Sequence, residues 1–208
     1  MGSGGRSQRG MASDVATFAG VDELVPDLTM ALLDDETARP MLVLVAEVDG
    51  DVVGNIIFST VRVTGCEQVA SYLLAPLAVA KRVHRQGIGR DMIETGMRMV
   101  HARNVKVIFV LGDPRYYGRF GFKPGHRIHA PYELPYPEAW MVRALPGASL
   151  EGVCGTLVCA RTFYRPEYWW ISSGGKPAFL ACNLIRRRKF EPQIHADVRR
   201  RRKVAAQR

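Results

Sequence analysis

The stretch that decides the fold is PLAVAKRVHRQGIGRDMI, residues 76–93, in which an apolar run leads to two glycines and then a helix pattern. Gly87 and Gly89 lie directly at the start of that helix pattern. The first turn of a helix has backbone N–H groups without intrahelical partners, and the helix dipole favours an anion there. Glycines let these N–H groups converge without obstruction by side chains. The stretch fits a phosphate-binding turn, although an ordinary strand-to-helix turn has the same pattern.

The segments on either side of this turn predict a β-α-β unit. Residues 71–79 have a strand pattern interrupted by Pro76, which cannot donate a ladder hydrogen bond and therefore predicts a bulge or a loss of pairing. Residues 105–112 are a continuous apolar run typical of a buried strand. Residues 89–103 place four apolar side chains on one helical face: Met92, Ile93, Met97 and Val100. This order predicts two parallel strands joined by a right-handed crossover.

The other elements extend this unit into an α/β domain. Residues 21–34 have the apolar spacing of a helix. Asp49-Gly50 is a strong two-residue turn signal between two apolar runs, 41–48 and 52–63, which predicts a hairpin. We expect a brief helix and two further strands at 114–120, 139–145 and 152–163.

Charge is distributed unevenly along the 208 residues. The formal net charge of +9 belongs to residues 171–208, which have 11 basic and two acidic side chains, whereas residues 1–170 have 18 of each. We expect a disordered leader at 1–20, one folded domain at 21–170 and a disordered basic tail at 171–208. Such a tail can bind polyanions weakly, but the neutral domain argues against nucleic-acid binding as the main activity.

The cysteines and histidines do not have the spacing of metal ligands. Cys66, Cys154, Cys159 and Cys182 include no C-x-x-C pair, and the five histidines are not grouped near them. We therefore expect no metal and interpret the cysteines as small thiols in a reducing compartment. The apolar runs are too short to span a bilayer, and no signal-peptide pattern is evident. The sequence thus predicts a cytoplasmic protein without a membrane span.

Three motifs in this order resemble the GNAT superfamily of N-acetyltransferases. They are VVGNIIFS at 52–59, PLAV followed by HRQGIG at 76–89, and YYGRFGF at 116–122. The similarity runs from about residue 43 to residue 165 and is greatest to a bacterial branch of small acetyltransferases. It implies a GNAT fold, with a mixed and mostly antiparallel sheet, a central splayed pair of parallel strands and flanking helices. It also implies direct transfer of an acetyl group from acetyl-CoA to a primary amine of a small molecule or peptide.

The resemblance implies where coenzyme A binds. In the family, a Gln/Arg-x-x-Gly-x-Gly/Ala loop surrounds the pyrophosphate, and His84 occupies the first position of that loop here. Backbone groups of the splayed strand bind the pantetheine arm, and an N–H of Val79 or Leu77 holds the developing oxyanion, a donor worth about 3 kcal/mol in other acyl-transfer enzymes. The implied binding residues are Leu77, Ala78, Val79, Arg85, Gln86, Gly87, Ile88, Gly89 and Arg90.

Tyr117 matches the tyrosine that acts as the general acid of the family. A phenol with a pKa of about 10 can protonate the leaving thiolate at close range. Tyr116 is the alternative acid, and both tyrosines could instead be packing residues. The residues leave the general base open among Glu67, Asp113, Glu133, Glu138 and a chain of waters, and we expect His84 to be structural.

A second class of function stays open from the sequence. The chain could be a GNAT-like binding protein without turnover, whose basic tail engages nucleic acid. The acceptor amine cannot be chosen from the fold, and homodimerisation stays open. The family usually begins with a strand before the first helix, and residues 14–18, DVATF, are a poor match for that strand.

Overall fold

The computed structural model describes residues 24–169 and 193–196. This part of the chain contains helices α1 (Leu24–Asp34), α2 (Ile88–Ala102) and α3 (Pro114–Tyr117). Its strands are β1 (Met41–Val48), β2 (Asp51–Val63), β3 (Ser71–Val79), β4 (Val107–Leu111), β5 (Ile128–His129), β6 (Trp140–Ala144), β7 (Gly155–Val158) and β8 (Gln193–Ala196). Short 3-10 helices lie at Glu36–Ala38, Lys81–Val83, Gly118–Phe120, Pro137–Ala139, Arg161–Tyr164 and Pro166–Tyr168.

The strands form one mixed sheet in the order β5-β7-β2-β3-β4-β6, with β1 beside β2 and β8 beside β1. Pairs β1–β2, β2–β3 and β4–β6 are antiparallel, whereas β3 and β4 are parallel and are joined through α2. This confirms the predicted fold class, a mostly antiparallel sheet with a central parallel pair and flanking helices. The short parallel pair β5–β7 was not predicted.

Local sequence signals explain the first hairpin and the long helix. Asp49 and Gly50 both have positive φ, +53° and +85°, as a tight hairpin turn between β1 and β2 requires. The four apolar residues predicted on one face of α2 are all buried. Gly96 lets α2 approach the sheet, because a Cβ at that position would lie 2.2 Å from Phe58 Cε2.

Each face of the sheet has its own hydrophobic core, because neighbouring residues of a strand point to opposite faces. Ile56 and Phe58 of β2 pack in the core shared with α2, while Ile57 packs in the core shared with α1. The second core is rich in aromatic rings, including a stacked pair of Phe109 and Trp140 with centroids 5.4 Å apart. None of the helices in the described ranges is long and apolar enough to cross a membrane.

The strand predicted at 152–163 is shorter in the structure. The pattern at 152–163 predicts one strand, but β7 covers only Gly155–Val158 and a 3-10 helix follows it. Gly152 has a φ of +74°, a left-handed conformation that is incompatible with a strand, and extended structure begins only at Gly155. The predicted leader at 1–20 and the tail outside β8 lie beyond the described residues, so the predicted domain limits stay predictions.

Asp35 explains why the strand pattern gives way to a 3-10 helix. Its carboxylate accepts hydrogen bonds from the backbone N–H and the hydroxyl of Thr162, both at 2.8 Å. It also accepts from the N–H of Thr37 at 2.8 Å and from the Thr37 hydroxyl at 2.6 Å. Burial raises the pKa of the Asp35 carboxyl, but these hydrogen bonds outweigh burial and hold the pKa below its usual value. Asp35 therefore links the end of α1 to the C-terminal part of the domain.

This link makes stability depend on pH through Asp35. A carboxyl whose pKa is lowered by folding stabilises the fold above its unfolded pKa of about 3.9, and this contribution is lost as pH falls through the folded pKa. We expect Asp35→Asn to lower the free energy of unfolding in urea at pH 7, and the difference from wild type to shrink below about pH 4. Asp34→Asn, at an exposed neighbouring carboxylate, is the control and should show no such trend. A difference for Asp35→Asn that is equal at both pH values would contradict this role.

Candidate active site between the splayed strands

The central parallel strands separate towards their C-terminal ends. In the described sheet, β3 and β4 pair only from Ser71 opposite Val107 to Leu73 opposite Phe109, although both strands continue. A bulge in β3 accompanies the separation, because two residues, Ala75 and Pro76, face one residue of β2. A bulge bends its strand and increases the local twist. The predicted irregularity at Pro76 is thus confirmed, and it opens a gap between β3 and β4.

The register of β3 on β2 fixes which backbone groups face this gap. The N–H of Ala80 donates to the carbonyl of Val53 at 2.7 Å, so the pair is of the hydrogen-bonded type. Such pairs alternate with non-hydrogen-bonded pairs along antiparallel strands. Counting back from Ala80, the backbone groups of Ala78 point towards β2, whereas those of Leu77 and Val79 point away from β2. Leu77 and Val79 therefore present N–H and C=O groups towards the gap, as the pantetheine interpretation of these positions requires.

The glycine turn follows β3 and begins α2. Gly87 is the N-cap residue of α2 and has a φ of +90°, a left-handed conformation that glycine adopts without strain. Arg85, two residues earlier, also has a positive φ of +68°. The carbonyl of Gly87 accepts the first helical hydrogen bond from Asp91 N–H at 3.0 Å, and no side-chain hydrogen bond from the described residues caps this end of the helix. The N–H groups of the first turn are therefore arranged as an anion would need them.

His84 ties this turn to the splayed strand. Its Nε2 lies 2.8 Å from the carbonyl oxygen of Val79, so Nε2–H donates to that carbonyl. This contact fits the predicted structural role of His84. It also leaves the N–H of Val79 and both backbone groups of Leu77 facing the gap, while the Val79 carbonyl is already bonded.

Arg90 brings less net charge to the turn than its position in the sequence suggests. Its Nε and Nη2 atoms both lie 2.9 Å from Asp91 Oδ1. The hydrogen bond and charge of Asp91 raise the pKa of Arg90. Both side chains are exposed to solvent in part, so the pair itself adds little stability. The backbone N–H groups of the first helical turn are thus the more direct source of positive potential here.

The predicted catalytic tyrosines follow β4 directly. Asp113 caps α3 by accepting from Arg115 N–H at 2.9 Å, and its own carbonyl accepts from the N–H groups of Tyr116 and Tyr117. Because β3 and β4 are parallel, their C-terminal ends lie at the same edge of the sheet. That edge therefore holds the gap, the glycine turn and the tyrosines together.

Tyr117 packs against the end of β4, and the Tyr116 ring has other neighbours besides Tyr117. A Cβ on Gly112 would lie 2.3 Å from Tyr117 Cε2, so only glycine leaves room for this ring. The Tyr116 ring instead lies under the guanidinium of Arg119, 4.7 Å from its Cζ, and 5.6 Å from the Phe120 ring. Sequence reasoning missed Gly112, for which the only signal was a glycine between a buried strand and an Asp-Pro cap.

The four carboxylates predicted as candidate general bases differ in burial and in their distance along the sheet from the gap. Glu67 lies in the β2–β3 turn, at the opposite end of β3 from the gap, and its carboxylate accepts from Gly65 N–H at 2.9 Å. Glu133 and Glu138 are exposed between β5 and β6. Asp113 is buried and adjoins the tyrosines, with Arg115 Nε 3.3 Å from Oδ1. Among the described residues, His, Cys, Asp and Glu form no group of three that could hold a metal ion.

Comparison with known proteins places these features in a family. A family model described as the acetyltransferase (GNAT) domain matches residues 39–124, which include the gap, the glycine turn and the tyrosines. The chain is 36% identical over 140 residues to the uncharacterized N-acetyltransferase YjhQ of Escherichia coli (strain K12), covering 64% of this chain and 77% of that protein. It is 34% identical over 118 residues to the uncharacterized N-acetyltransferase YhbS of the same strain, covering 56% and 70%.

Solved structures show the same architecture. The E. coli GNAT family N-acetyltransferase YhbS in complex with CoA has a TM-score of 0.66 and 28% identity, covering 76% of this chain and 86% of that one. A GNAT family acetyltransferase from Brucella melitensis in complex with acetyl-CoA has a TM-score of 0.59 and 24% identity, covering 76% and 96%. The second likeness shows a shared fold.

Proposed function

The chain belongs to the GNAT acetyltransferase family and is an N-acetyltransferase, and we propose that it transfers the acetyl group of acetyl-CoA directly to a primary amine with Tyr117 as the general acid. The observation that carries this proposal is the single sheet edge where the β3–β4 gap, the glycine turn and Tyr117 meet. Acetyl-CoA supplies a thioester as the acyl donor. In this proposal the described residues would hold it, stabilise the charge that develops on it and protonate its leaving group.

The glycine turn would hold the pyrophosphate of the cofactor. Its donors would be N–H groups of residues 85–90 at the start of α2, where the left-handed residues Arg85 and Gly87 shape the backbone. Beyond this turn, each amide group of the pantetheine arm would need one donor and one acceptor on the protein. Leu77 supplies both towards the gap, while Val79 supplies its N–H because His84 occupies its carbonyl.

The N–H groups that face the gap also serve the chemistry. Attack by an amine on the thioester carbonyl develops negative charge on the oxygen, and a preorganised N–H donor stabilises that charge by about 3 kcal/mol. On β3, Val79 and Leu77 are the donors whose N–H groups point towards the gap. Ala78, which was also predicted to contact the cofactor, directs its backbone groups to β2, so its role would be limited to its small side chain.

Tyr117 would then donate its phenolic proton to the thiolate that leaves. The ring is buried and is held by Gly112, by the Tyr116 ring at 5.0 Å and by the Phe122 ring at 5.9 Å. Tyr116 stays the alternative acid, but its ring is engaged by Arg119. The packing of Tyr117 against the end of β4 favours it for the role.

Replacement of Gly87 tests the cofactor assignment. Valine is strained at a φ of +90°, so Gly87→Val should distort the turn and weaken CoA binding about tenfold or more, measured by isothermal titration calorimetry. Gly125→Val is the matched control, because Gly125 has a φ of +78° with no atom within 4 Å of an added Cβ. It should bind CoA like wild type. Equal CoA affinity of Gly87→Val and wild type would show that the glycine turn is not part of the CoA-binding site.

Replacement of Tyr117 tests the acid assignment. We expect Tyr117→Phe to lower kcat on the order of 100-fold in a thiol-release assay with acetyl-CoA and a panel of primary amines, with unchanged CoA affinity. Tyr116→Phe should change kcat only slightly. The reverse result would assign the acid to Tyr116. Absence of thiol release with every amine would contradict the proposed transfer and favour a binding protein.

A further inference from the structure

Arg143 of β6 is a half-buried cation on the face of the sheet that packs against α2. Its Nη1 donates to the carbonyl of Phe120 and lies 3.2 Å from Met97 Sδ in α2. None of the ion pairs found among residues 24–169 includes Arg143. Partial burial of a charge is costly unless polar partners compensate for it. Within the described ranges, the polar partners of the Arg143 guanidinium are therefore the Phe120 carbonyl and the Met97 thioether.

The carbonyl that Arg143 binds ends the segment that carries the tyrosines. Phe120 is the last residue of the 3-10 helix that continues α3, and Gly121 closes that helix with a φ of +76°. A Cβ on Gly121 would lie 3.7 Å from the Arg143 Cζ and Nε atoms, so the guanidinium covers this turn. The last carbonyls of a helix have no intrahelical donors, and a cation there satisfies one of them.

The tyrosine segment, residues 114–120, is thus held at both ends. At its start, Asp113 caps α3 at the end of β4. At its end, Arg143 binds the Phe120 carbonyl, and Lys123 and Val142 exchange two backbone hydrogen bonds of 2.9 Å. Tyr117 lies between these anchors. Through Met97, Arg143 also contacts the helix whose N-terminus forms the glycine turn.

We propose that Arg143 is a positioning residue for acetyl transfer, whose hold on the Phe120 carbonyl fixes the phenol of Tyr117 relative to α2 and the gap. This inference rests on the proposed function, because it requires Tyr117 to act in the transfer step. Small displacements of a catalytic group lower the rate strongly without changing how the substrate binds. Loss of Arg143 should therefore affect kcat and spare the binding of acetyl-CoA.

The test is a double-mutant cycle of Arg143→Met and Tyr117→Phe, with steady-state thiol release as the assay. Arg143→Met should lower kcat about tenfold or more, with the KM for acetyl-CoA within about twofold of wild type. Arg143→Lys should recover part of the loss, because an ammonium can donate to the Phe120 carbonyl. The double variant should be no slower than Tyr117→Phe, since residues that act through one group are not additive.

Arg98→Met is the matched control, because Arg98 is an exposed guanidinium of α2 bonded to Thr95 Oγ1 at 3.0 Å. It should keep the wild-type kcat. Wild-type kcat in Arg143→Met, or multiplicative losses in the double variant, would overturn the positioning role. Full activity of Tyr117→Phe alone would instead refute the acid assignment, and the Arg143 proposal with it. If Arg143→Met does not fold, the same assay is run on Arg143→Gln. A lower kcat with an unchanged KM for acetyl-CoA would support the positioning role, and a wild-type kcat would overturn it.

Discussion

The bulge at Ala75-Pro76 is the constraint on which the rest of the site depends. It makes β3 leave β4 after Leu73, while β3 stays paired with β2 on its other side. If β3 and β4 stayed paired, the backbone groups of Leu77 and Val79 that point away from β2 would form ladder hydrogen bonds with β4. The separation leaves those groups facing a gap at the C-terminal edge of the sheet, so a defect in strand pairing becomes a row of donors and acceptors for a ligand.

The surrounding elements are fixed relative to this gap by a few specific contacts. His84 binds the Val79 carbonyl and so sets where the glycine turn begins. Gly112 provides the space for the Tyr117 ring at the end of β4, and Asp113 starts the helix that carries it. Arg143 joins the end of that segment to α2. The glycine turn and the segment with Tyr117, the proposed cofactor and acid sides of the site, are therefore connected through α2 and β6.

The features that the sequence predicts are those with local causes. Asp49-Gly50 sets the hairpin, the apolar spacing of α2 sets its buried face, and Pro76 marks the bulge, because each depends on residues close together in the chain. The contacts that were missed join distant residues. The hydrogen bonds of Asp35 with Thr162 accompany a 3-10 helix where the sequence predicts the end of a strand. The hydrogen bond from Arg143 to the Phe120 carbonyl has no signal in the sequence around either residue.

The central claim is that the backbone of β3 binds coenzyme A through Leu77 and Val79. Amide hydrogen exchange of the full chain, read residue by residue by NMR with and without CoA, tests it most directly. The amides of Leu77 and Val79 should exchange readily in the free protein and become protected when CoA binds, whereas Ala78, which pairs with β2, should be protected in both states. Saturating CoA that leaves Leu77 and Val79 unchanged would contradict the claim.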